Sequence, residues 1–192
     1  SDTICRYYLV PYLNKFHKQF PHVHIKVTNQ TSIACASLLE HGQVDFIVVN
    51  YPNSALSSTH IPRVINEFHD VFVANRQYFP LDGREVSLAS LQKYPILMLD
   101  RKSTTSEFLH AMFQRSHLDL VPEIELSSND LLIDLARIGL GIAFVPDFCI
   151  PTDDKDLFVV KLKEELPKRQ MVVAYNERMP ISQTAKQFMS ML

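Results

Sequence analysis

Two rhythms of apolar residues alternate along the chain. Leu9, Leu13, Phe16 and Phe20 fall at i, i+4, i+7 and i+11, one face of a helix that tolerates Pro11 only near a first turn and that Pro21 closes. "HVHIKVTN" then alternates strictly, with Val23, Ile25 and Val27 on one side and His22, His24 and Lys26 on the other, which predicts a half-buried strand. Thr31 or Ser32 caps a second helix reaching His41, and Gly42 stops it in the left-handed position. "VDFIVV" is a nearly continuous apolar run, the mark of a strand covered on both faces.

The same alternation resumes further on. "NEFHDVFVAN" predicts one long strand, and Asp82-Gly83 a turn. "SLASLQKY" reads as a short helix, "PILMLD" as a strand, "STTSEFLHAMFQRSH" as a helix and "PEIEL" as a strand. "SSNDLLIDLARIGLGIAFVPD" is a polar-capped amphipathic helix, a Gly139-Leu140-Gly141 turn and an apolar strand ending at Pro146. Two glycines there let a helix reverse tightly into a buried strand without a Cβ clash. "DLFVVKL" and "RQMVVAYN" are further strands, and "ISQTAKQFMSML" is a closing amphipathic helix with Ala185, Phe188 and Leu192 on one face. Strands and helices alternating at this spacing predict an α/β fold with mainly parallel sheets, in two batches separated near Arg76 to Glu85.

Composition narrows the function classes. The chain has 192 residues, 46% hydrophobic and 21% charged, with 19 basic against 21 acidic residues. That suits one large or two small cores, and no block of Lys or Arg offers a footprint for nucleic acid. No apolar run approaches the roughly 20 residues that span a bilayer, so no membrane role is expected. Cys5, Cys35 and Cys149 are odd in number and widely spaced, which argues against a disulfide framework or zinc site and suits a reducing compartment.

The candidate chemistry lies at helix entrances. Ser1-Asp2-Thr3, Thr28 through Ser32, Ser103-Thr104-Thr105-Ser106 and Ser127-Ser128-Asn129 share one polar character, and all but the first follow an expected strand. In open α/β sheets such entrances lie beside strand carboxyl ends, where ligands bind, and each offers unpaired N–H groups with roughly half a positive charge. Any one cluster taken alone is more often an ordinary N-cap than a ligand contact. Arg101, after "PILMLD", is either a bidentate grip for a carboxylate or a solvated strand-end charge.

These motifs together resemble a known family. "YYLVPYLNKFHKQFP", "LLEHGQVDFIVV" with Leu39, Gly42 and Asp45, "DLARIGLGIAFVP" and "SQTAKQF" are similar, in order and over nearly the whole chain, to the effector-binding domain of LysR-type transcriptional regulators. The resemblance implies an α/β fold of two Rossmann-like subdomains, of the type II periplasmic-binding-protein kind, with a ligand cleft between them. Subdomain I is expected at 1–76 plus 176–192 and subdomain II at 77–175. It also implies effector contacts at Ser1, Thr3, Thr31, Ser32, Arg101, Ser103, Thr104 and Ser128, a small organic anion as effector, and no cofactor or metal. A homodimer or homotetramer in the cytoplasm is expected, with the apolar-aromatic face around Tyr8 and Tyr12 either at an interface or in the core. DNA would be reached only through an N-terminal winged helix-turn-helix domain that these residues do not include. The short strand that the family places before the Ser-Asp-Thr loop is missing from this chain.

Two rivals remain. A solute-binding protein of a transporter has the same fold but predicts an exported location, which three unpaired cysteines oppose. An enzyme is disfavoured because no nucleophile motif, phosphate-binding glycine loop or dinucleotide fingerprint is present. His22 and His24, on one strand face, are the only near-metal spacing.

Overall fold

The computed structural model describes residues 1–192 and resolves into two compact units, Ser1–Glu67 with Arg169–Leu192, and Phe68–Lys168.

The first unit opens with a helical run, α1 (Asp2–Ile4), a π turn at Cys5–Leu9 and α2 (Val10–Gln19). Pro11 follows directly on the π turn, within a helical run that began at Asp2, so it does not occupy the expected first turn. Ile4 and Phe16 are fully buried, and Phe16 packs edge-on against Phe188 of the last helix at 5.1 Å. The Tyr8 hydroxyl donates to the Ile65 carbonyl at 3.3 Å, so this aromatic already has a partner inside its own unit. After α3 (Ser32–Glu40), Gly42 takes φ +64 and the Gly42 and Gln43 N–H groups donate back to Leu39 and Leu38, a Schellman closure. Strand β1 (Ile47–Tyr51) pairs antiparallel with β10 (Arg169–Asn176), register Ile47↔Ala174 to Tyr51↔Gln170, and β2 (His60–Phe68) lies on the far side of β10. Cys35, Ala36, Leu39, Ile47, Val49, Val172 and Ala174 form this unit's core. The closing helix, α7 (Gln183–Met191), buries Ala185 and Phe188 as its spacing requires.

The expected strand at 22–29 is not one. No residue from His24 to Asn29 takes part in a backbone–backbone hydrogen bond, and Ile25 and Val27 are 39% and 52% exposed. Alternation of side chains makes a strand possible, but only a neighbouring backbone makes it real.

The second unit holds a five-stranded sheet in the order β6-β5-β7-β3-β8. Its members are β3 (Asp70–Asn75), β5 (Ile96–Leu99), β6 (Ile124–Leu126), β7 (Ile142–Pro146) and β8 (Leu157–Val159). β5 runs parallel to β6 and β7, while β3 is antiparallel to both β7 and β8. The expectation of mainly parallel sheets is therefore corrected: the second unit's five-stranded sheet is mixed, and in the first unit β1 and β10 run antiparallel. "NEFHDVFVAN" likewise divides, because β2 ends at Phe68 and β3 begins at Asp70. A small pair, β4 (Glu85–Val86) and β9 (Lys161–Leu162), completes the strands.

Period-2 alternation explains why these strands are apolar throughout. Phe72 and Ala74 join one core cluster with Met98, Phe113 and Phe144, whereas Val73 joins the other with Leu97, Ile133 and Ala143. The helices are α4 (Leu88–Leu91), α5 (Thr104–Arg115) and α6 (Asn129–Arg137). Leu109 and Phe113 of α5 serve the first cluster, and Leu132, Ile133 and Ala136 of α6 the second. Helix α6 ends at Gly139, φ +82, with Gly139 N–H donating to Ala136 and Leu140 N–H to Leu135. Gly141 has an ordinary φ and a different duty: a Cβ there would stand 2.6 Å from the Pro95 carbonyl oxygen.

Candidate functional site

Each polar helix entrance serves as a cap, and each lies at a strand tip. In the first unit the Thr31 hydroxyl accepts from Ala34 N–H at 3.2 Å, closing the α3 amino end. Ser32 is buried and turned toward the β1 tip, where its Oγ accepts from Asn50 N–H at 3.1 Å. The Ser32 carbonyl takes a 2.8 Å hydrogen bond from Asn53 Nδ2. Asn50 and Asn53 are themselves buried, and the Asn50 Oδ1 has no hydrogen-bond partner. Ser32, Asn50 and Asn53 thus form one polar knot joining the amino end of α3 to the carboxyl end of β1.

In the second unit two entrances stand side by side. β5 and β6 pair in parallel with Leu99 opposite Leu126, and the Asp100 N–H donates to the Leu126 carbonyl at 2.9 Å, so both strands end together. The Ser103 hydroxyl accepts from Ser106 N–H at 3.0 Å and donates to the Asp100 carbonyl at 3.1 Å. The Ser128 hydroxyl accepts from Leu131 N–H at 3.3 Å. The first turn of α5 is buried and polar, with Thr104, Thr105 and Ser106 all under 5% exposed, and Ser106 Oγ lacks a partner. One turn later His110 Nε2 is also buried without one.

Arg101 sits just beyond the β5 tip, with 78% of its side chain exposed and Glu125 Oε1 4.0 Å from its Nε. Ser1 caps α1, its Oγ accepting from Ile4 N–H at 3.4 Å, and Thr3 lies half-buried in that first turn. Thr31 adjoins the Ser32 knot in sequence, whereas Ser1 belongs to the cap of α1 and forms no hydrogen bond with the knot. The structure gathers Thr31 with Ser32 in one unit, and Ser103 and Thr104 with Ser128 in the other.

Asn53 was the residue pattern reading missed. Its signal, an Asn two positions after a strand end and next to Pro52, is indistinguishable from an ordinary turn until the chain is folded.

The remaining chemistry is sparse. Burial pushes the Cys149 thiol well above its ordinary value, and the carboxylates of Asp130, Asp70 and Asp147 add to this. Burial likewise raises Cys35. Neither thiol is poised as a nucleophile. No three His, Cys, Asp or Glu side chains converge as a metal group, and His22 and His24 are both exposed. No helix is long and apolar enough to cross a membrane.

Comparison with known proteins agrees with this architecture. The family profile described as LysR substrate binding domain matches residues 1–192. The transcriptional activator CmpR of Synechocystis is 22% identical over 195 residues, covering 99% of this chain and 62% of that protein. The transcriptional regulator CysB of Burkholderia cenocepacia is 22% identical over 161 residues, covering 83% of this chain and 51% of its own length. The chain therefore spans between about half and three-fifths of these curated relatives. Among solved structures, the regulatory domain of Synechocystis CcmR, in complex with 2-PG, superposes with a TM-score of 0.86 at 18% identity, over 97% of this chain and 92% of that one. The C-terminal domain of a probable LysR family regulator from Rhodococcus gives 0.85 at 19% identity, over 100% and 94%. The effector-binding domain of QuiR, in complex with shikimate, gives 0.81 at 15% identity, over 95% and 88%. These relatives are named as transcriptional regulators, not as transport proteins or enzymes. Matched by the family profile from its first residue to its last, the chain belongs to the LysR substrate-binding domain family and is an effector-binding domain of a LysR-type transcriptional regulator.

Proposed function

We propose that the effector of this domain is a small organic anion, held in the second unit by the helix entrances at Ser103–Thr104 and Ser128. The observation that carries this reading is the buried, hydroxyl-rich first turn of α5, standing beside the α6 entrance at two strand tips that end together. Helix amino ends stabilise negative charge through their N–H groups and dipoles without the cost of burying a counter-ion. Arg101 adds a cation at the same strand tip, and its exposure leaves the guanidinium able to swing toward a carboxylate. Two structural relatives were solved with small molecules, 2-PG and shikimate, which supports a ligand of this size.

In the complete protein, binding biases an attached DNA-binding domain within a cytoplasmic homo-oligomer. A differential affinity of about 1–3 kcal/mol between two states is enough for that. The domain senses without turnover, so a metabolite bound to it is recovered chemically unchanged. The test is a thermal-shift screen of organic acids followed by titration calorimetry on Arg101→Gln. Carboxylates are expected to raise the melting temperature, and Arg101→Gln to weaken their binding about tenfold or more with unchanged apo stability. Stabilisation by cationic or purely apolar compounds instead of acids refutes the anion assignment.

A further inference from the structure

Of the four glycines, only Gly83 follows an Asp or an Asn. That pairing is chemically reactive. With no side chain on the second residue, its amide nitrogen can reach the carboxyl carbon of the first and close a five-membered ring. The sequence offers one further candidate, Asn53-Ser54, where a small residue also follows the carboxamide. The fold treats the two oppositely. Asn53 is buried, its Nδ2 donates to the Ser32 carbonyl at 2.8 Å and its Oδ1 accepts from Ala55 N–H at 3.0 Å, so its side chain is held off its own backbone. Asp82 and Gly83 instead form the exposed centre of a turn closed by Arg84 N–H on the Leu81 carbonyl at 3.1 Å. Gly83 takes φ +72, and nothing lies within 4 Å of the place a Cβ would occupy. Its N–H donates no hydrogen bond that ring closure would have to break.

One restraint acts on this turn. Arg76 Nη1 donates to Asp82 Oδ2 at 2.8 Å, while its Nη2 donates to the Leu157 carbonyl at 2.7 Å. The guanidinium also lies over the Phe158 ring, 6.0 Å from the centroid. Anchored in this way to β8, it opposes any rotation that carries Asp82 Cγ onto the Gly83 nitrogen. We propose that Asp82-Gly83 is a self-modification site, an aspartyl turn that converts to isoaspartate, and that Arg76 restrains the conversion. The Gly83 nitrogen attacks Asp82 Cγ, a C–N bond forms, and one carboxyl oxygen leaves with two protons as water. A water molecule then reopens the succinimide. Attack at Cγ restores Asp82. Attack at the main-chain carbonyl carbon of Asp82 leaves the chain running through Cβ and Cγ, with the α-carboxylate as a side arm. Composition is unchanged, and no oxidant or cofactor enters. The product carries an extra backbone carbon between Leu81 and Val86, both buried in one apolar cluster, and its shortened carboxylate arm gives up the Arg76 contact. The proposal is independent of the effector assignment.

Ageing the purified protein at fixed pH and temperature tests it. Isoaspartate is counted by methyl transfer from S-adenosylmethionine through an isoaspartyl methyltransferase, and located by peptide mapping. It is expected at residue 82, in a peptide of unchanged mass, and not at Asn53, whose conversion would exchange NH for O. Arg76→Gln should speed the conversion about two- to fivefold, the factor that an exposed ion pair of this kind is worth. Arg76→Lys keeps the charge but not the fork and should fall between the two. Asp82→Glu, which would need a six-membered ring, should show no conversion. Gly141→Ala loosens the same unit without touching the pair and should convert at the parent's rate. In guanidinium chloride, where the Arg76 contact is lost, the parent and Arg76→Gln should convert equally fast. Absence of isoaspartate at residue 82 in the parent, conversion chiefly at Asn53, an Arg76→Gln rate equal to the parent's, a difference that persists in denaturant, or Gly141→Ala accelerated as much as Arg76→Gln would each overturn the proposal.

Discussion

Three glycines of the second unit separate backbone strain from steric exclusion, and Gly141→Ala is the decisive substitution. Its new Cβ would lie 2.6 Å from the Pro95 carbonyl oxygen and 2.7 Å from Leu97 Cδ2, against an ordinary contact of at least 3.4 Å. Something must yield by most of an ångström. The Pro95 carbonyl cannot yield freely, because it accepts the Ile142 N–H at 2.8 Å where β5 meets β7. Overpacking a rigid site costs about 1–3 kcal/mol, and a weakened strand hydrogen bond adds about 1 kcal/mol. Stiffening the unfolded chain returns roughly 0.4–1 kcal/mol, which leaves a net loss near 2 kcal/mol. Gly83→Ala is the strain-only comparison, with φ +72 and nothing within 4 Å of the added methyl. Its cost is about 1 kcal/mol or less after the same offset. Gly139→Ala combines φ +82 with the Tyr78 ring at 2.5 Å, but Tyr78 is 56% exposed and swings aside, so it should resemble Gly83→Ala. Urea unfolding at constant m value ranks the three. A Gly141→Ala protein as stable as the parent, or more stable than Gly83→Ala, would refute the argument that close approach, and not backbone conformation, requires this glycine.

Other outcomes follow from the same packing and hydrogen bonding. Phe144→Ala removes a fully buried ring packed 4.7 Å from Phe72, and should cost about 3–5 kcal/mol in the same unfolding assay. Ser32→Ala strips the acceptor from the buried Asn50 N–H and should cost about 1–3 kcal/mol, whereas Ser32→Thr, which keeps a hydroxyl, should cost less. The Arg137 guanidinium, 2.9 Å from Asp154 Oδ2, holds that carboxyl below its ordinary 3.8 against the opposing effect of burial. A depressed folded-state value contributes stability above the unfolded value, lost as pH falls through the folded one. Asp154→Asn should therefore flatten part of the acid limb below about pH 4 in a stability–pH profile, and leave the slope above pH 5 unchanged.

Much of this protein was legible in one dimension because its signals are local. The Schellman ends at Gly42 and Gly139, the caps at Thr31, Ser103 and Ser128, and the buried faces of α5 and α6 all depend on residues within one or two turns. The entrance hydroxyls could be named but not ranked, since a cap and a ligand contact use the same atoms. Only folding placed the α5 and α6 entrances side by side, through the β5–β6 register, and only folding bound Asn53 to Ser32 across 21 positions. Strand direction was likewise out of reach of periodicity, which is the same for parallel and antiparallel neighbours, so the antiparallel β1–β10 pair and the mixed five-stranded sheet were decided only by tertiary structure. Residues 22–29 show the division most plainly. Their alternation specifies a chain able to be a strand, while hydrogen bonds belong to pairs of segments, and a lone segment cannot encode its partner's presence.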